Sequence, residues 1–293
     1  MLRECIEGLD IKEDGIYVDL TFGGGGHSQA ILSRLSKGHL YAFDQDEDAR
    51  ANAEKIDKRS FTFVEANFRF LKRYLKMYGV QGVDGILGDL GISSHQIDEA
   101  ARGFSTRFDA DLDMRMDQSG TFSAKGLVNT YKVEQLQDVL GKYGEVRNAK
   151  TLAQAIVAER INHRISTVAE LKEILMKYAP KGRENRYYAQ VFQALRIEVN
   201  DEMKALEEML VQAVELLKSG GRLVIMSYHS LEDRPVKNFI AQGKVSGKAE
   251  KDLYGNIEKP LVAVNRKPII ASEKEIKENN RARSAKLRIA RKI

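Results

Sequence analysis

Short apolar segments that alternate with helical patterns mark the N-terminal part of the chain. Ile16–Asp19, Leu40–Phe43, Phe61–Val64 and Val83–Leu87 have the length and composition of buried strands, and Ser28–Leu35 has apolar residues at helical spacing. Strands that alternate with helices are typical of βαβ units. We therefore expect a doubly wound, parallel α/β sheet with helices on both faces.

The alternation stops in the middle of the chain, because no apolar run typical of a strand occurs between Gly103 and Asn200. Helical spacing and a capping box at Thr167–Glu170 predict helices throughout this region instead. We therefore expect residues 103–200 to form an inserted all-helical domain.

Strand patterns return after the helical region. Arg222–Tyr228 is strongly β-forming, and Leu261–Val264 and Ala285–Ile289 predict two final antiparallel strands. The sheet domain is therefore expected to consist of residues 1–102 and 201–293.

A glycine-rich turn, Thr21–Gly26, joins the first predicted strand to the first helix. Glycines let the backbone approach a ligand, and an acid at the tip of the second strand, here Asp44, can accept both hydroxyls of a ribose. A nicotinamide site would need a further glycine at the helix start, where this chain has His27. The turn looks more like the first motif of S-adenosylmethionine (AdoMet) methyltransferases. Asp89, after the fourth strand, should project toward the same crevice.

Composition adds weaker constraints. The chain of 293 residues has a net charge of +5, which mildly favours an anionic partner. Its single cysteine, Cys5, excludes an internal disulfide, and its five histidines lack metal-ligand spacing, so we expect no metal. No apolar run is long enough to span a bilayer and the N-terminus does not resemble a signal peptide, so we expect a cytoplasmic protein without a membrane partner.

Two polar segments have both a functional and a structural interpretation. Lys181–Arg196 interleaves cations with aromatic residues, which fits either RNA bases and phosphates or a solvated helix face. The C-terminal residues from Lys277 to Lys292 are strongly basic, as in a segment that contacts a phosphate backbone or in an unbound charged end.

Several separate stretches together resemble one family, the bacterial RsmH (MraW) ribosomal RNA methyltransferases. The similarity covers almost the whole chain and rests on these motifs: GGGGHS at 23–28, DLGISSHQID at 89–98, RGFS at 102–105, LDMRMD at 112–117, FQALRIEVN at 192–200, SYHSLEDR at 227–234 and RARSAKLR at 281–288.

The resemblance implies a Rossmann-like, AdoMet-dependent methyltransferase sheet with an inserted helical domain. It also implies an enzyme that methylates the exocyclic N4 amine of a cytidine in 16S rRNA of the small ribosomal subunit, near the decoding site. AdoMet would then be the cofactor and 16S rRNA the partner, and the helical domain would recognise the substrate.

The resemblance also assigns site residues. The cofactor-binding positions are Gly25, Gly26, His27, Asp44, Phe68, Asp89 and Gln96. The positions near the expected target pocket are Arg115, Asn200, Ser227 and His229. No residue is assigned as the general base, for which Asp89 and Asp113 are candidates, and Phe104 is a candidate to stack on the target base.

The chain departs from the family at its start. The family usually opens with a His-x-Pro-Val-Leu segment, whereas this chain begins Met1–Leu2–Arg3. The segment is therefore either absent or trimmed, and we expect one wall of the site to be incomplete. His95 and Asn280 stand where proline is common.

Two other functions remain open from the sequence alone. One is an AdoMet methyltransferase that acts on DNA or on another RNA. The other is a non-catalytic assembly factor that binds rRNA and keeps the fold without turnover.

Overall fold

The computed structural model describes residues 1–247 and 259–293. The chain forms two compact units, the sheet unit (Met1–Gly91 and Met203–Ile293) and the helical unit (Ile92–Glu202). The helical unit therefore includes residues 92–102, which the sequence pattern assigns to the sheet domain. The reason is local, because the Arg102 guanidinium donates hydrogen bonds to the carbonyl oxygens of Arg115 (2.9 Å) and Met116 (3.2 Å) within the helical unit.

The described residues form eight strands and a larger number of helices. The strands are β1 (Ile16–Asp19), β2 (His39–Asp44), β3 (Phe61–Glu65), β4 (Val83–Asp89), β5 (Leu217–Ser227), β6 (Leu261–Ala263), β7 (Ile269–Ile270) and β8 (Lys286–Lys292). The α-helices are α1 (Leu2–Leu9), α2 (Gly26–Leu32), α3 (Arg50–Ala53), α4 (Leu71–Met77), α5 (Ser94–Asp98), α6 (Ala124–Thr130), α7 (Val133–Gly144), α8 (Ala149–Asn162), α9 (Val168–Tyr178), α10 (Glu184–Val199), α11 (Glu202–Leu216), α12 (Ser230–Gln242) and α13 (Glu273–Glu278).

The strand order of the sheet is β3-β2-β1-β4-β5-β8-β6, and β7 pairs with β8. Strands β1 to β5 are parallel, whereas β8 is antiparallel to β5. The strand order reverses between β1 and β4, and in doubly wound sheets ligands bind at the carboxyl ends of the strands at such a switch point. The predicted α/β class with a Rossmann-like sheet is confirmed.

The structure corrects the start of the fifth strand. The β-forming pattern predicts a strand over Arg222–Tyr228, whereas β5 already begins at Leu217, which pairs with Val83 of β4. The register is irregular before Gly85 pairs with Arg222, and Gly220 accommodates this break because it adopts a φ of +82°.

Two apolar clusters cover the two faces of the sheet. One contains residues of α4, α11 and α12, and the other contains Cys5, Ile6 and Leu9 of α1 together with Ile31 of α2. This three-layer packing fixes the ends of β1, β2, β4 and β5 against one another, because their central residues are buried on both sides.

The helical unit has its own apolar core, built mainly from α6 to α10. The predicted capping box is confirmed, because the Thr167 hydroxyl accepts a hydrogen bond from the Glu170 N–H (3.3 Å) and the Glu170 carboxylate accepts one from the Thr167 N–H (3.1 Å). Within the part of the chain that the structure describes, no helix combines the length and apolar character needed to cross a bilayer.

The aromatic residues of Lys181–Arg196 do not face solvent, which contradicts their interpretation as a stacking surface for RNA bases. Tyr187, Tyr188 and Phe192 are buried in the helical core, and the Tyr187 hydroxyl donates a hydrogen bond to the Asn148 side chain (3.0 Å). Phe104 is likewise buried in this core, so its ring is not available to stack on a target base in this conformation.

Candidate active site

The glycine-rich turn after β1 leaves one side of its backbone open. Gly25 has a φ of +77°, and a Cβ there would lie 2.9 Å from the Phe22 ring, so only glycine fits this position without strain. A Cβ at Gly24 or Gly26 would meet no atom within 4 Å. These two glycines therefore border open space, where a ligand can approach the main chain.

Asp44, at the end of β2, is held by the same turn. One carboxylate oxygen accepts a hydrogen bond from the Gly23 N–H (2.7 Å), and the other accepts one from the Asp46 N–H (2.9 Å). Each oxygen keeps a second lone pair for a ligand. Burial raises the pKa of Asp44 to about 6, against the lowering effect of these two hydrogen bonds.

Asp89, at the end of β4, is attached to the turn from the other side. Its N–H donates a hydrogen bond to the Thr21 hydroxyl (2.7 Å), and one carboxylate oxygen accepts a hydrogen bond from the Tyr228 hydroxyl (2.8 Å). The other carboxylate oxygen lies 3.8 Å from Nδ1 of His27. Burial raises the pKa of Asp89 to about 6, although His27 and Tyr228 both act to lower it.

Asp19, which is not among the predicted site residues, lies at the end of β1 and fixes the conformation of the turn. It is fully buried, and its carboxylate accepts hydrogen bonds from the Thr21 N–H (3.1 Å) and the Ser28 hydroxyl (2.7 Å). Because it has no exposed surface, it acts as a positioning residue. The sequence signal was present, since the first strand visibly ends in an acid.

His27 occupies the second position of α2 and is largely buried. Its Nε2 is a buried polar atom without a hydrogen-bond partner among the described residues. A buried nitrogen that lacks a partner is costly, so its presence beside two carboxylates and an open glycine turn is typical of a site completed by a polar ligand.

At the tip of β5, Tyr228 and Glu232 form hydrogen bonds that the sequence did not reveal. Glu232, which is buried, accepts a hydrogen bond from the Tyr228 N–H (2.9 Å) and lies 3.0 Å from Nε2 of His229. The same tyrosine donates its hydroxyl to Asp89, so the ends of β4 and β5 are connected. The Ser227 hydroxyl points instead toward the Lys286 carbonyl oxygen of β8 (3.4 Å).

Phe68 is half-buried and begins a short 3₁₀ helix after β3. The preceding residue, Asn67, accepts a hydrogen bond from the Arg69 N–H (2.9 Å) and donates one to the Gln45 side chain (2.8 Å). These bonds connect the segment after β3 to the segment after β2, where Asp44 lies, so Phe68 belongs to the same edge of the sheet.

The remaining predicted site residues, Gln96, Arg115 and Asn200, belong to the helical unit. Gln96 is buried, and its side chain accepts a hydrogen bond from the Ser93 N–H (3.0 Å) in a capping box at the start of α5. Its assignment to the cofactor pocket stays a prediction.

Arg115 and Asn200 order one loop of the helical unit. The Arg115 guanidinium forms a two-pronged ion pair with Asp113 (2.6 and 2.7 Å) and donates to the Gln118 carbonyl oxygen (3.0 Å). The Asn200 side chain accepts from the Met116 N–H (2.8 Å) and donates to the Met114 carbonyl oxygen (2.8 Å). Both side chains therefore hold the loop in place.

Asp113 is a poor candidate for a general base in this conformation. Burial raises the pKa of its carboxyl group, but the hydrogen bonds and charge of Arg115 outweigh this effect, and the pKa is lowered on balance. A carboxylate with a lowered pKa accepts a proton less readily.

Comparisons with known proteins identify the family of the chain. The sequence matches the family described as "MraW methylase family" over residues 1–293. A protein of Cytophaga hutchinsonii named "Ribosomal RNA small subunit methyltransferase H" is 60% identical over 290 residues, which are 99% of this chain and 97% of that protein. A protein of the same name from Christiangramia forsetii is 55% identical over 294 residues, which are 100% of this chain and 96% of that protein.

We expect Asp89→Asn to stabilise the unliganded protein at pH 8 by about 1–3 kcal/mol, because the raised pKa reflects an unfavourable buried charge. The amide oxygen can still accept the Tyr228 hydroxyl. Between about pH 4 and pH 6 the folded protein retains a proton that the unfolded chain releases, so the gain should be absent below about pH 4 and complete above about pH 6. Urea unfolding across this range measures it. Asp14→Asn, at an exposed position, is the control, and a gain independent of pH would contradict the explanation.

We expect Asn200→Ala to lower the free energy of unfolding by about 2–4 kcal/mol, because it leaves the Met116 N–H and the Met114 carbonyl without their partner. Asn162→Ala, at an exposed helix position, should change it by less than about 0.5 kcal/mol. Thermal or urea unfolding measures both. Wild-type stability of Asn200→Ala combined with lost methyl transfer would instead assign Asn200 to the substrate.

Proposed function

We propose that this chain, which belongs to the MraW methylase family, methylates the exocyclic N4 amine of a cytidine in 16S rRNA near the decoding site. It is an AdoMet-dependent methyltransferase of small-subunit rRNA, as its relatives at 55–60% identity are named for that activity. The cytidine N4 acceptor, its location, the roles of individual residues and a cytoplasmic setting are the proposed parts.

One observation carries the assignment of the cofactor site. Asp44 and Asp89 lie at the ends of different strands, yet each is hydrogen-bonded to the glycine turn, one through Gly23 and the other through Thr21. The turn therefore holds both carboxylates at the switch point of the sheet. Such an arrangement offers acceptors to the ribose hydroxyls and to the ammonium group of AdoMet.

The residues of the sheet unit fit this cofactor. Asp44 would accept the ribose hydroxyls with its remaining lone pairs, and Phe68 would pack on the adenine. Gly26, which borders open space, would line the methionine portion, and Gly25 is assigned to it from the resemblance. His27 would contribute its unpartnered Nε2, and Asp89 would face the ammonium group. We assign Gln96 of the helical unit to this pocket from the resemblance alone.

When bound, AdoMet supplies a methyl group activated by a positively charged sulfur. The residues of the chain have to orient the cytosine amine, whose lone pair is delocalised into the ring, and to accept its N–H hydrogens so that the lone pair becomes available. Positioning is therefore expected to provide most of the rate enhancement. The ionised form of Asp89 is the better candidate to accept these N–H hydrogens, because both carboxylate oxygens of Asp113 already accept hydrogen bonds from Arg115.

Two groups of residues are proposed for the target side from the resemblance, one in each unit, and each is described within its own unit. His229, whose imidazole is held by Glu232, and Ser227 lie at the tip of β5. Arg115 and Asn200 would act by holding the loop around Met116 in its binding conformation, since their side chains are hydrogen-bonded within it.

Transfer of labelled methyl groups tests the proposed reaction. We expect the protein to label purified small ribosomal subunits from cells that lack it, and digestion of the rRNA should yield N4-methylcytidine at a position near the decoding site. Label in another base, or in DNA, would contradict the proposed acceptor. If calorimetry detected no AdoMet binding by the intact protein, the assembly-factor interpretation would be favoured.

We expect Asp44→Asn to weaken AdoMet binding by about tenfold to a hundredfold, because hydrogen bonds to a charged acceptor each contribute about 1.5–3 kcal/mol. Since the pKa of Asp44 is about 6, wild-type affinity should fall as the pH drops from 7 to 5, and this fall should be smaller in the variant. Calorimetry measures both effects. Glu47→Gln, at an exposed position nearby, should bind like the wild type, and equal affinities of Asp44→Asn and the wild type would remove Asp44 from the ribose site.

A further inference from the structure

The C-terminal stretch of the sheet unit carries a concentration of positive charge that the cofactor site does not use. Residues 259–293 contain eleven lysines and arginines against three glutamates, whereas the net charge of the whole chain is only +5. The rest of the chain is therefore negative on balance, so the net positive charge of the chain is concentrated in this stretch.

Some of these cations are engaged inside the sheet unit. The Arg288 guanidinium forms a two-pronged ion pair with Asp233 of α12 (2.6 and 3.1 Å), and Nζ of Lys286 lies 3.7 Å from the same carboxylate. These two side chains stabilise the packing of α12 on β8 and are poor candidates for a ligand surface.

The 3₁₀ helix Asn280–Ser284, which we call the arginine turn, presents its cations outward. Ala282 and the following Ala285 are buried, whereas Arg281 and Arg283 are exposed. The Asn279 side chain starts the turn by accepting a hydrogen bond from the Arg281 N–H (3.1 Å). Small apolar residues thus anchor the turn and leave both arginines facing solvent.

The sheet register places the arginine turn at the edge that carries the cofactor site. Lys286 pairs with Ser227 at the tip of β5 and with Ile270 of β7. The segment between Ile270 and Lys286, which contains the arginine turn, therefore begins and ends at that edge of the sheet. Ala285 also belongs to the buried cluster that contains Phe22 of the glycine turn, and Tyr228 packs against this cluster.

Two further cations of the same stretch lie at the other end of β8. Arg291 pairs with Arg222, where the regular part of β5 begins, and Lys292 pairs with Leu261. Because strands extend by about 3.3 Å per residue, they are separated from Lys286 by roughly 15–20 Å. They provide a matched pair of positive charges distant from the site.

We propose that the arginine turn is a docking surface for the sugar-phosphate backbone of the RNA substrate, with Arg281 and Arg283 as its contacts beside the cofactor crevice. The inference rests on the proposed function, since it is the RNA substrate that docks there. Arginine suits this role because its planar donors match phosphate oxygens, and the exposed Asn280 and Ser284 add neutral donors. The acids of α13 all precede the turn.

The test compares two double variants of the full chain that lose the same charge. We expect Arg281→Ala with Arg283→Ala to weaken binding to small-subunit rRNA transcribed in vitro by about tenfold, and to reduce the slope of log affinity against log salt by about 1.4, or about 0.7 per phosphate contact. Arg291→Ala with Lys292→Ala should leave both quantities near the wild-type values. Calorimetry with AdoMet and thermal melting should show no change in either variant.

The outcomes separate the surface from the proposed function. Equal RNA affinity and salt slope in the two double variants would overturn the docking surface, whether or not the protein methylates rRNA. If the arginine variant loses RNA affinity selectively, the surface is supported even where the wild type labels no cytidine, and only the proposed acceptor then fails. A loss of AdoMet binding in the arginine variant would also contradict the proposal, because it would indicate disruption of the crevice.

Discussion

The buried carboxylate of Asp19 determines the shape of the glycine turn, and the rest of the site depends on that shape. It accepts one hydrogen bond from the start of the turn, at Thr21, and one from the helix that follows it, at Ser28. Thr21 in turn accepts the N–H of Asp89, and Gly23 donates to Asp44. One inaccessible group at the end of β1 therefore fixes the positions of two carboxylates on neighbouring strands.

This arrangement has an electrostatic cost. Burial raises the pKa values of Asp44 and Asp89 to about 6, so near neutral pH both groups are ionised in surroundings that favour the neutral form. A ligand that donates hydrogen bonds and carries a positive charge relieves this cost. The unliganded fold is thus less stable than its packing would allow, which is common where binding depends on preorganised charge.

Much of this could be predicted from the sequence, because the informative signals are local. Strand periodicity, the glycine cluster and the acids at strand ends are encoded within short stretches, and they located Asp44, Asp89 and His27 at one edge of the sheet. The contact between Tyr228 and Asp89 joins residues 139 positions apart, and no periodicity encodes such a pair. Similarly, the sequence around Tyr187 and Phe192 is compatible both with a helical core and with an RNA-binding surface. Only the packing of α10 shows that the two side chains are buried. The hydrogen bonds of Asn200 belong to the same class of long-range information.

The position of β8 has a consequence for how the protein is made. Lys286 of β8 follows Ser227 of β5 by 59 positions, yet the two strands are neighbours, and β8 lies inside the sheet with β5 on one side and β6 and β7 on the other. During synthesis β5 therefore emerges long before its neighbour and presents an unpaired edge, which other chains can use for aggregation. Pairing of β5 with β8 has to wait until the residues of β8 have been synthesised, and shielding of the β5 edge by a chaperone would protect the chain until then.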